Sequence, residues 1–499
     1  MKKFIYATLA LAAVLLFASC KNDKNQPKNE AGDAYVSFTF NLPQGGTRAG
    51  VDGKNAGDEY AGTKEEQAIT AVRVVLLDEN SNMVKYALDY AITGDGENAP
   101  SGAGIAPNGT AATTARFTTK AEKVVTQDYL MLAIVNPTQA VKDATEVNKS
   151  LLDVQAAITT DVATLSGNGI MMSNDRGLVK VTSANMKDTD AAAEQNPVSV
   201  NVDRILAKVF VGGTPTFENG KLTNIKWQLN TTNTKTFIYR QFGKTALAGF
   251  PDETATDAST RFDRYAKDPN YSGAFNAADF TYIDGTPALT GTMGFEDEKG
   301  QYCLENTMDA ASQKVQQTTS FILSGTWTPA NHDGITFTEG QTWYYWKGFS
   351  FTTAKMLEYK TIIDDATNTQ PEIDNTAKGF KAVLKAAFDA GLTIDAQGDV
   401  TASGTFGEIQ AYKDGACYYQ TNLIRHFNNT QSSVDMGYGR YGVVRNNIYK
   451  INLKKISRPG APTVTNDKDN PGNDDPSQSF ISFDVNVNPW IVRTQDISL

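Results

Sequence analysis

The chain has 499 residues, 40% of them apolar, 10% aromatic and 20% charged, with 40 glycines, three cysteines and a formal charge of −10 at neutral pH. This length supports two or more hydrophobic cores, and the composition excludes a disordered or membrane-spanning protein and a disulfide framework. Residues 49–499 carry 40 basic and 53 acidic side chains, a formal −13, which repels nucleic acid and anionic lipid, so no nucleic-acid partner is expected.

Taken in chain order, the first element is Lys2-Lys3 followed by a mostly apolar run from Phe4 to Phe17, then Ala18-Ser19 before Cys20. About 14 residues at 1.5 Å each span roughly 21 Å, short of a bilayer core of about 30 Å. Residues 1–20 therefore read as a secretory signal, and small residues before a lone Cys predict a bacterial lipoprotein with lipid on Cys20. Lys21 to Ala34 is polar and aperiodic, a tether.

Tyr35-Val36-Ser37-Phe38-Thr39-Phe40-Asn41-Leu42 alternates apolar and polar residues at period 2, which predicts a half-buried strand with Val36, Phe38, Phe40 and Leu42 on one face. The loop Gln44-Gly45-Gly46-Thr47-Arg48 follows, so residues 21–48 read as a propeptide that a cut between Arg48 and Ala49 releases. Beyond it, strand-like runs cover Ile69 to Leu77, Tyr129 to Val135, Leu178 to Val181 and Val198 to Val211. A helix is predicted over Asp143 to Ile158, with Val147, Leu151, Val154 and Ile158 on one face and Asp143 and Glu146 at its start. Residues 49–213 read as a first β domain.

Residues 214–456 repeat the character, with runs at Ile225 to Leu229, Thr236 to Gln241, Thr319 to Trp327, Trp343 to Phe351, Ala416 to Asn422 and Tyr441 to Leu453. A helix over Phe380 to Phe388 carries Phe380, Val383, Leu384, Ala387 and Phe388 at helical spacing, with Gly391 able to stop it. Short strands between Gly, Asn and Pro turns predict an all-β protein with minor helices, built as two antiparallel β-sandwich domains in tandem.

Ser457 to Ser479 reads as a linker that cannot pack, since it has no aromatic residue and Val464 is its only sizeable aliphatic. As a coil it spans about 26 Å and stretched up to about 75 Å. It leads to Phe480-Ile481-Ser482-Phe483-Asp484-Val485-Asn486-Val487, a near copy of the first strand: Ser, Phe and Asn recur at the same places, and Ile481, Phe483, Val485 and Val487 match its apolar face. Pro489 ends the alternation; Trp490, Ile491 and Val492 continue on a shifted phase.

Two strands with one pattern can compete for one slot. Burying four apolar side chains is worth about 6 to 12 kcal/mol before ordering costs, so the first copy leaves rarely unless a cut lowers its effective concentration. The terminal copy of another molecule can then add to the sheet. The alternative is that both copies are the first and last strands of one closed sandwich, paired within the molecule.

Catalytic chemistry is not expected. His332 and His426 are the only histidines and lie far apart, against a His-based triad or zinc site. Gly437-Tyr438-Gly439-Arg440-Tyr441-Gly442 matches G-x-G-x-x-G but leads into a strand-like run, not a helix. The acidic stretches Asp52 to Glu59 and Asp467 to Asp475 lack EF-hand spacing. No cofactor, no metal and no enzymatic activity follow from these residues, and Cys303 and Cys417 read as two buried thiols. Trp343-Tyr344-Tyr345-Trp346 as a strand puts Trp343 and Tyr345 on one face and Tyr344 and Trp346 on the other; one pair is expected in the core, the other exposed enough to stack on sugar rings. A glycan-binding surface lipoprotein is therefore an alternative reading.

The signal ending Phe17-Ala18-Ser19-Cys20, the strand Tyr35 to Pro43, Thr47-Arg48-Ala49-Gly50, Val202-Asp203-Arg204 leading to Ala207-Lys208, Val443-Val444-Arg445-Asn446-Asn447-Ile448-Tyr449, and the tail Val487-Asn488-Pro489-Trp490 resemble the fimbrillins, subunits of type V pili of Bacteroidales. The short-fimbria stalk subunits are the nearer kind. The resemblance implies a lipoprotein precursor at the outer membrane and cutting after Arg48 by an Arg-specific protease. It implies that Tyr35 to Leu42 is then replaced by the C-terminal strand of a neighbouring copy, Ile481 to Val487 with Trp490, in a head-to-tail homopolymer. Accessory anchor and tip subunits are the other implied partners; a tip or anchor role is the alternative to the stalk.

Overall fold

The structure, a computed structural model, describes residues 32–43, 62–241, 265–272, 274–365, 380–426, 441–466, 468 and 481–489. The chain is all-β with a few short helices.

The first large sheet runs, neighbour to neighbour, Val84–Tyr90, Val72–Asp78, Tyr129–Val135, Met172–Asn174, Val198–Arg204, Phe38–Asn41 and Arg116–Thr118. One face, with Val72, Val74, Leu76, Met131, Ala133, Val200 and Val202, closes a core that also takes Val36 and Val124 from the paired strands Ala34–Val36 and Glu122–Val124. The opposite face, with Val75, Leu77, Leu132 and Ile134, packs on helical Val141, Val154 and Leu165 and on Leu206, Phe210, Leu304 and Ile448 of the next sheet. Burial on both faces explains why Val74 to Leu77 and Tyr129–Val135 are continuous apolar runs without alternation.

The second sandwich faces two sheets across one core. One holds Thr216–Phe217, Asn447–Ile456, Leu206–Gly212 and Gln301–Leu304, with Ile481–Pro489 against Asn447–Ile456; the other holds Gly291–Thr292, Gly220–Asn230, Ser320–Pro329 and Ala416–Leu423. Val209, Val211, Tyr449 and Ile451 meet Trp227, Phe321, Leu323 and Trp327 between them. A smaller sheet, Phe349–Thr352, Trp343–Trp346, Ile409–Tyr412 and Gly404–Phe406, closes a further core with the helices Thr353–Asp364 and Phe380–Asp389.

Several expectations are corrected. The sheets are mixed: Phe38–Asn41 runs parallel to Val198–Arg204, and Leu206–Gly212 parallel to Asn447–Ile456. These strands meet over long connections, so no tight hairpin imposes the antiparallel direction. Val198 to Val211 is two strands in different sheets, broken at Ile205, whose N–H donates to Met171 O at 3.0 Å. A division at 213 thus falls after the first strand of the second sandwich, not before it. Trp343 to Phe351 is a hairpin turning at Lys347 and Gly348, both with positive φ, 42° and 96°, as a two-residue turn of this hand requires. The helix over Asp143 to Ile158 is also two pieces, Gln139–Ala144 capped by Thr138 and Leu151–Gln155 capped by Ser150. Between them Asn148 adopts φ 72° and its N–H donates to Val84 O at 2.9 Å, which ends helical continuation.

Candidate functional site

Phe38–Asn41 comes from the start of the described chain yet lies inside the first sheet. Phe38, Thr39, Phe40 and Asn41 stand opposite Val198, Ser199, Val200 and Asn201 on one side, and Thr39, Phe40 and Asn41 opposite Thr118, Phe117 and Arg116 on the other. Val36, Phe38 and Phe40 are fully buried, Leu42 packs partly buried against the same core, and Phe40 stacks on Phe117 with centroids 4.9 Å apart. The polar face is also satisfied. Ser37 Oγ donates to Thr119 O at 2.6 Å, Thr39 and Thr118 hydroxyls lie 2.8 Å apart, and Asn41 Nδ2 donates to Ser199 Oγ at 2.9 Å and Asn201 Oδ1 at 3.0 Å. Without this strand, Val198–Asn201 and Arg116–Thr118 lose the neighbour between them.

Ile481–Pro489 takes a different place. It runs antiparallel along its own chain's Asn447–Ile456, from Asn447 opposite Pro489 to Ile456 opposite Ile481, with no second neighbour among the described residues. Ile481, Phe483, Val485 and Val487 are therefore not in the sheet that holds Val36, Phe38, Phe40 and Leu42. Cys20, Arg48, Ala49 and Trp490 lie outside the described residues, as do Asp52 to Glu59, Gly437 to Arg440 and Asp467 to Asp475 except Lys468.

The first part of the expected linker is packed, which corrects the reading that Ser457 to Ser479 cannot pack. Ala461 bridges Tyr418, Val464 bridges Gly285, and Val464 is buried beside Leu289 and Ile322. Tyr412 and Tyr419 hydroxyls donate to Gly460 O at 2.8 Å and Arg458 O at 2.9 Å, and Asn466 Nδ2 donates to Ile283 O at 2.7 Å. A Cβ on Gly460 would come within 2.2 Å of Tyr418 O, so glycine is needed there. Backbone groups do the holding, and these leave no apolar signal in a sequence. From Lys468 only residues 469–480 lead to the terminal strand, at most about 40 Å of chain.

Buried charges join the strands that hold the two copies. Asp203 is the penultimate residue of the strand beside Phe38–Asn41, and Arg445 precedes the strand beside Ile481–Pro489. Arg240 Nη2 donates to Asp203 Oδ2 at 3.1 Å and to Arg445 O at 3.0 Å; Arg445 Nε donates to Glu305 Oε2 at 2.8 Å, and Arg240 Nη1 lies 3.9 Å from Glu305 Oε1. All four side chains are excluded from solvent. Burial lowers the Arg445 pKa, a pull that Glu305 opposes. Asn446, at φ 59°, donates its N–H to Leu206 O at 2.8 Å. A second buried pair, Lys208 Nζ to Glu66 Oε1 at 2.6 Å, takes a further hydrogen bond from the Tyr302 hydroxyl, and Arg204 Nε donates to Glu66 O at 3.2 Å. It pins the helix Lys64–Gln67 soon after residues 44–61.

The sequence motifs contain Asp203, Lys208 and Arg445 but give no sign of this role, and Glu66, Arg240 and Glu305 were missed. A charged residue inside a strand-like apolar run is the signal that points to Arg240 and Glu305, while Glu66, in the polar helix Lys64–Gln67, carries none. The expected exposed aromatic pair is absent. Trp343 stacks on Tyr412 at 4.1 Å and Tyr345 packs on the same core, while Tyr344 and Trp346 pack on the other, Trp346 4.9 Å from Phe380 with its Nε1 donating to Glu408 Oε2 at 3.0 Å. His426 is buried with Nδ1 2.8 Å from the Tyr449 hydroxyl, and Cys303 and Cys417 are free, buried thiols. Among the described residues no group of His, Cys, Asp or Glu could hold a metal ion, and no helix is long and apolar enough to cross a membrane.

Residues 410–496 match the family model of the major fimbrial subunit protein type IV, fimbrillin, C-terminal region. Solved structures with similarity include a proposed cell adhesion protein from Parabacteroides distasonis ATCC 8503 (11% identity, 93% of this chain and 99% of that one, TM-score 0.43). A fimbrilin, FimA, from Porphyromonas gingivalis W83 has 14% identity over 93% and 99% at TM-score 0.41. The tip fimbrial protein Mfa3 from Porphyromonas gingivalis, truncated at its C-terminus, has 10% identity over 90% and 99% at 0.34. No curated protein matches the chain. The matched region holds the strand Asn447–Ile456, its Val443 to Tyr449 approach and the terminal strand, and over these residues the chain is similar to the fimbrillin family.

Proposed function

We propose that the protein is a polymerising stalk subunit of a surface fimbria, with Phe38–Asn41 as a placeholder that a neighbour's terminal strand replaces. The observation that carries this reading is the inserted strand itself: a segment from one end of the chain fills a position between two strands, burying Val36, Phe38 and Phe40, and is joined to the rest through the Arg48-Ala49 stretch. Once that link is cut the strand is held without covalent attachment, and its effective concentration falls. The chain after the cut stays in place through Glu66. The reading divides the molecule at Ile205, with the acceptor slot before it and the donor strand at the far end. A contact made by different surfaces on the two copies does not close on itself, so it yields a filament.

The precursor is a lipoprotein at the outer membrane through Cys20, processed by an Arg-specific protease, and its partners are further copies with anchor and tip subunits. The role is adhesive and structural, without catalysis.

Arg48→Ala is expected to leave secreted monomer with an intact N-terminus, and deletion of 480–499 to abolish filaments while preserving the fold, read by electron microscopy and N-terminal mass spectrometry. Filaments of normal length from either variant would falsify the reading. Surface material that retains Arg48-Ala49 at the base of the fimbria points instead to an anchor.

A further inference from the structure

The two copies agree in their polar positions as well as their apolar ones. Ser37 and Asn41, four apart, recur as Ser482 and Asn486. In the structure these two polar side chains are read by fixed partners: Ser37, buried, donates to Thr119 O, and Asn41 donates to Ser199 Oγ and Asn201 Oδ1. We propose that a second copy's terminal strand enters the vacated slot in one register only, with Ser482 in the place of Ser37 and Asn486 in the place of Asn41. These two side chains are the residues that set it. The inference rests on the strand-exchange reading above.

A strand can slip only by two residues without turning its apolar face to solvent. The slip in one direction brings Phe480 to the Ser37 position, where a buried site faces a carbonyl oxygen, and Asp484 to the Asn41 position, where a carboxylate has no proton for Asn201 Oδ1. The slip in the other direction brings Asp484 to the Ser37 position, an ionised oxygen against Thr119 O with no donor of its own. At the buried Ser37 position an acceptor aimed at an acceptor loses its hydration without return, whereas at the Asn41 position, which solvent reaches, the same mismatch costs less. Only the unslipped register gives a hydroxyl to Thr119 and an amide to Ser199 and Asn201. It sets Asp484 opposite Thr118, whose hydroxyl, 2.8 Å from that of Thr39, is able to donate to a carboxylate. Val485 replaces Phe40 beside Phe117.

The test uses the full chain, matured to filaments, carrying Thr118→Cys with one of Ser482→Cys, Asp484→Cys or Asn486→Cys. Thr39 and Thr118 are directly opposed, the arrangement in which two cysteines can bridge. The proposal expects a covalent ladder on non-reducing gels from the 118–484 pair alone, and filament growth about five-fold slower for Asn486→Leu with Asn488→Leu unchanged. A ladder from 118–482 or 118–486, or filaments without a ladder from any pair, overturns the register. Absence of filaments from the wild-type chain after cutting at Arg48 overturns the strand-exchange reading itself, a different failure.

Discussion

Phe38–Asn41 has a neighbour on each side, one parallel and one antiparallel, whereas Ile481–Pro489, written in nearly the same residues, has among the described residues the single antiparallel neighbour Asn447–Ile456. Alternation specifies a strand and the face it buries, but not which sheet receives it, nor the direction of pairing. What separates the two copies is context. One reaches its slot through a short N-terminal stretch and satisfies Thr119, Ser199 and Asn201; the other arrives from a chain fixed as far as Val464 and Asn466 and lies along its own Asn447–Ile456. An outer strand can leave at the cost of one ladder. An inserted one leaves two strands without their neighbour.

The strongest way to break this comparison is Phe40→Ala in the uncut precursor. The ring is fully buried and stacked on Phe117, so truncation costs about 3 to 5 kcal/mol in urea unfolding and speeds amide exchange in Arg116–Thr118. Deleting 481–499 is expected to leave exchange in that sheet unchanged. Equal effects from the two changes would mean that the two copies do not differ as their positions imply. Next in size is Glu305→Gln, which removes one charge from the cluster joining Asp203 to Arg445 and costs about 3 kcal/mol, since Arg445 and Arg240 stay buried without their shared anion. The same change is expected to split thermal unfolding into two transitions. A single unshifted transition would show that the cluster does not couple the strands beside the two copies. A smaller gain, roughly 1 kcal/mol, is expected from Val485→Phe if strands exchange as proposed, since a ring would then stand against Phe117 and raise the dissociation temperature of the filament.

Much of the fold was legible, and the misses have physical causes. Tyr129 to Val135 was read to the residue because a run buried on both faces has no competing pattern. Val198 to Val211 was read as one strand because the break at Ile205 leaves no Gly or Pro; Asp203-Arg204, a charged pair amid apolar residues, was the only trace. The helix over Asp143 to Ile158 failed on Asn148, whose left-handed backbone a helical periodicity cannot register. The linker failed at residues 458–466 because carbonyls and amides fix it while its side chains stay small. The alternation showed that Val36, Phe38, Phe40 and Leu42 share a buried face, but not where the terminal strand lies, since pairing along Asn447–Ile456 follows from a register between distant segments.

The two native thiols give the finest probe of whether the terminal strand is a detachable outer element. Cys303 and Cys417 lie in opposite sheets of the second sandwich, and desolvation pushes both thiols up to about 12. An acid whose folded pKa is raised favours the fold while protonated, so this contribution is complete below the ordinary thiol value near 8.5 and is lost as pH rises from there through about 12. At pH 8.5 the native thiols are therefore closed to a disulfide reagent. In a Cys20→Ser chain, deletion of 481–499 is expected to leave labelling of both at the slow rate of global unfolding, because Leu206–Gly212 and Asn447–Ile456 still stand between Cys303 and the vacated edge. Rapid labelling of Cys303 alone would mean that the terminal strand holds its own sandwich shut, and a strand with that duty could not be lent to a neighbour without opening the molecule that supplies it.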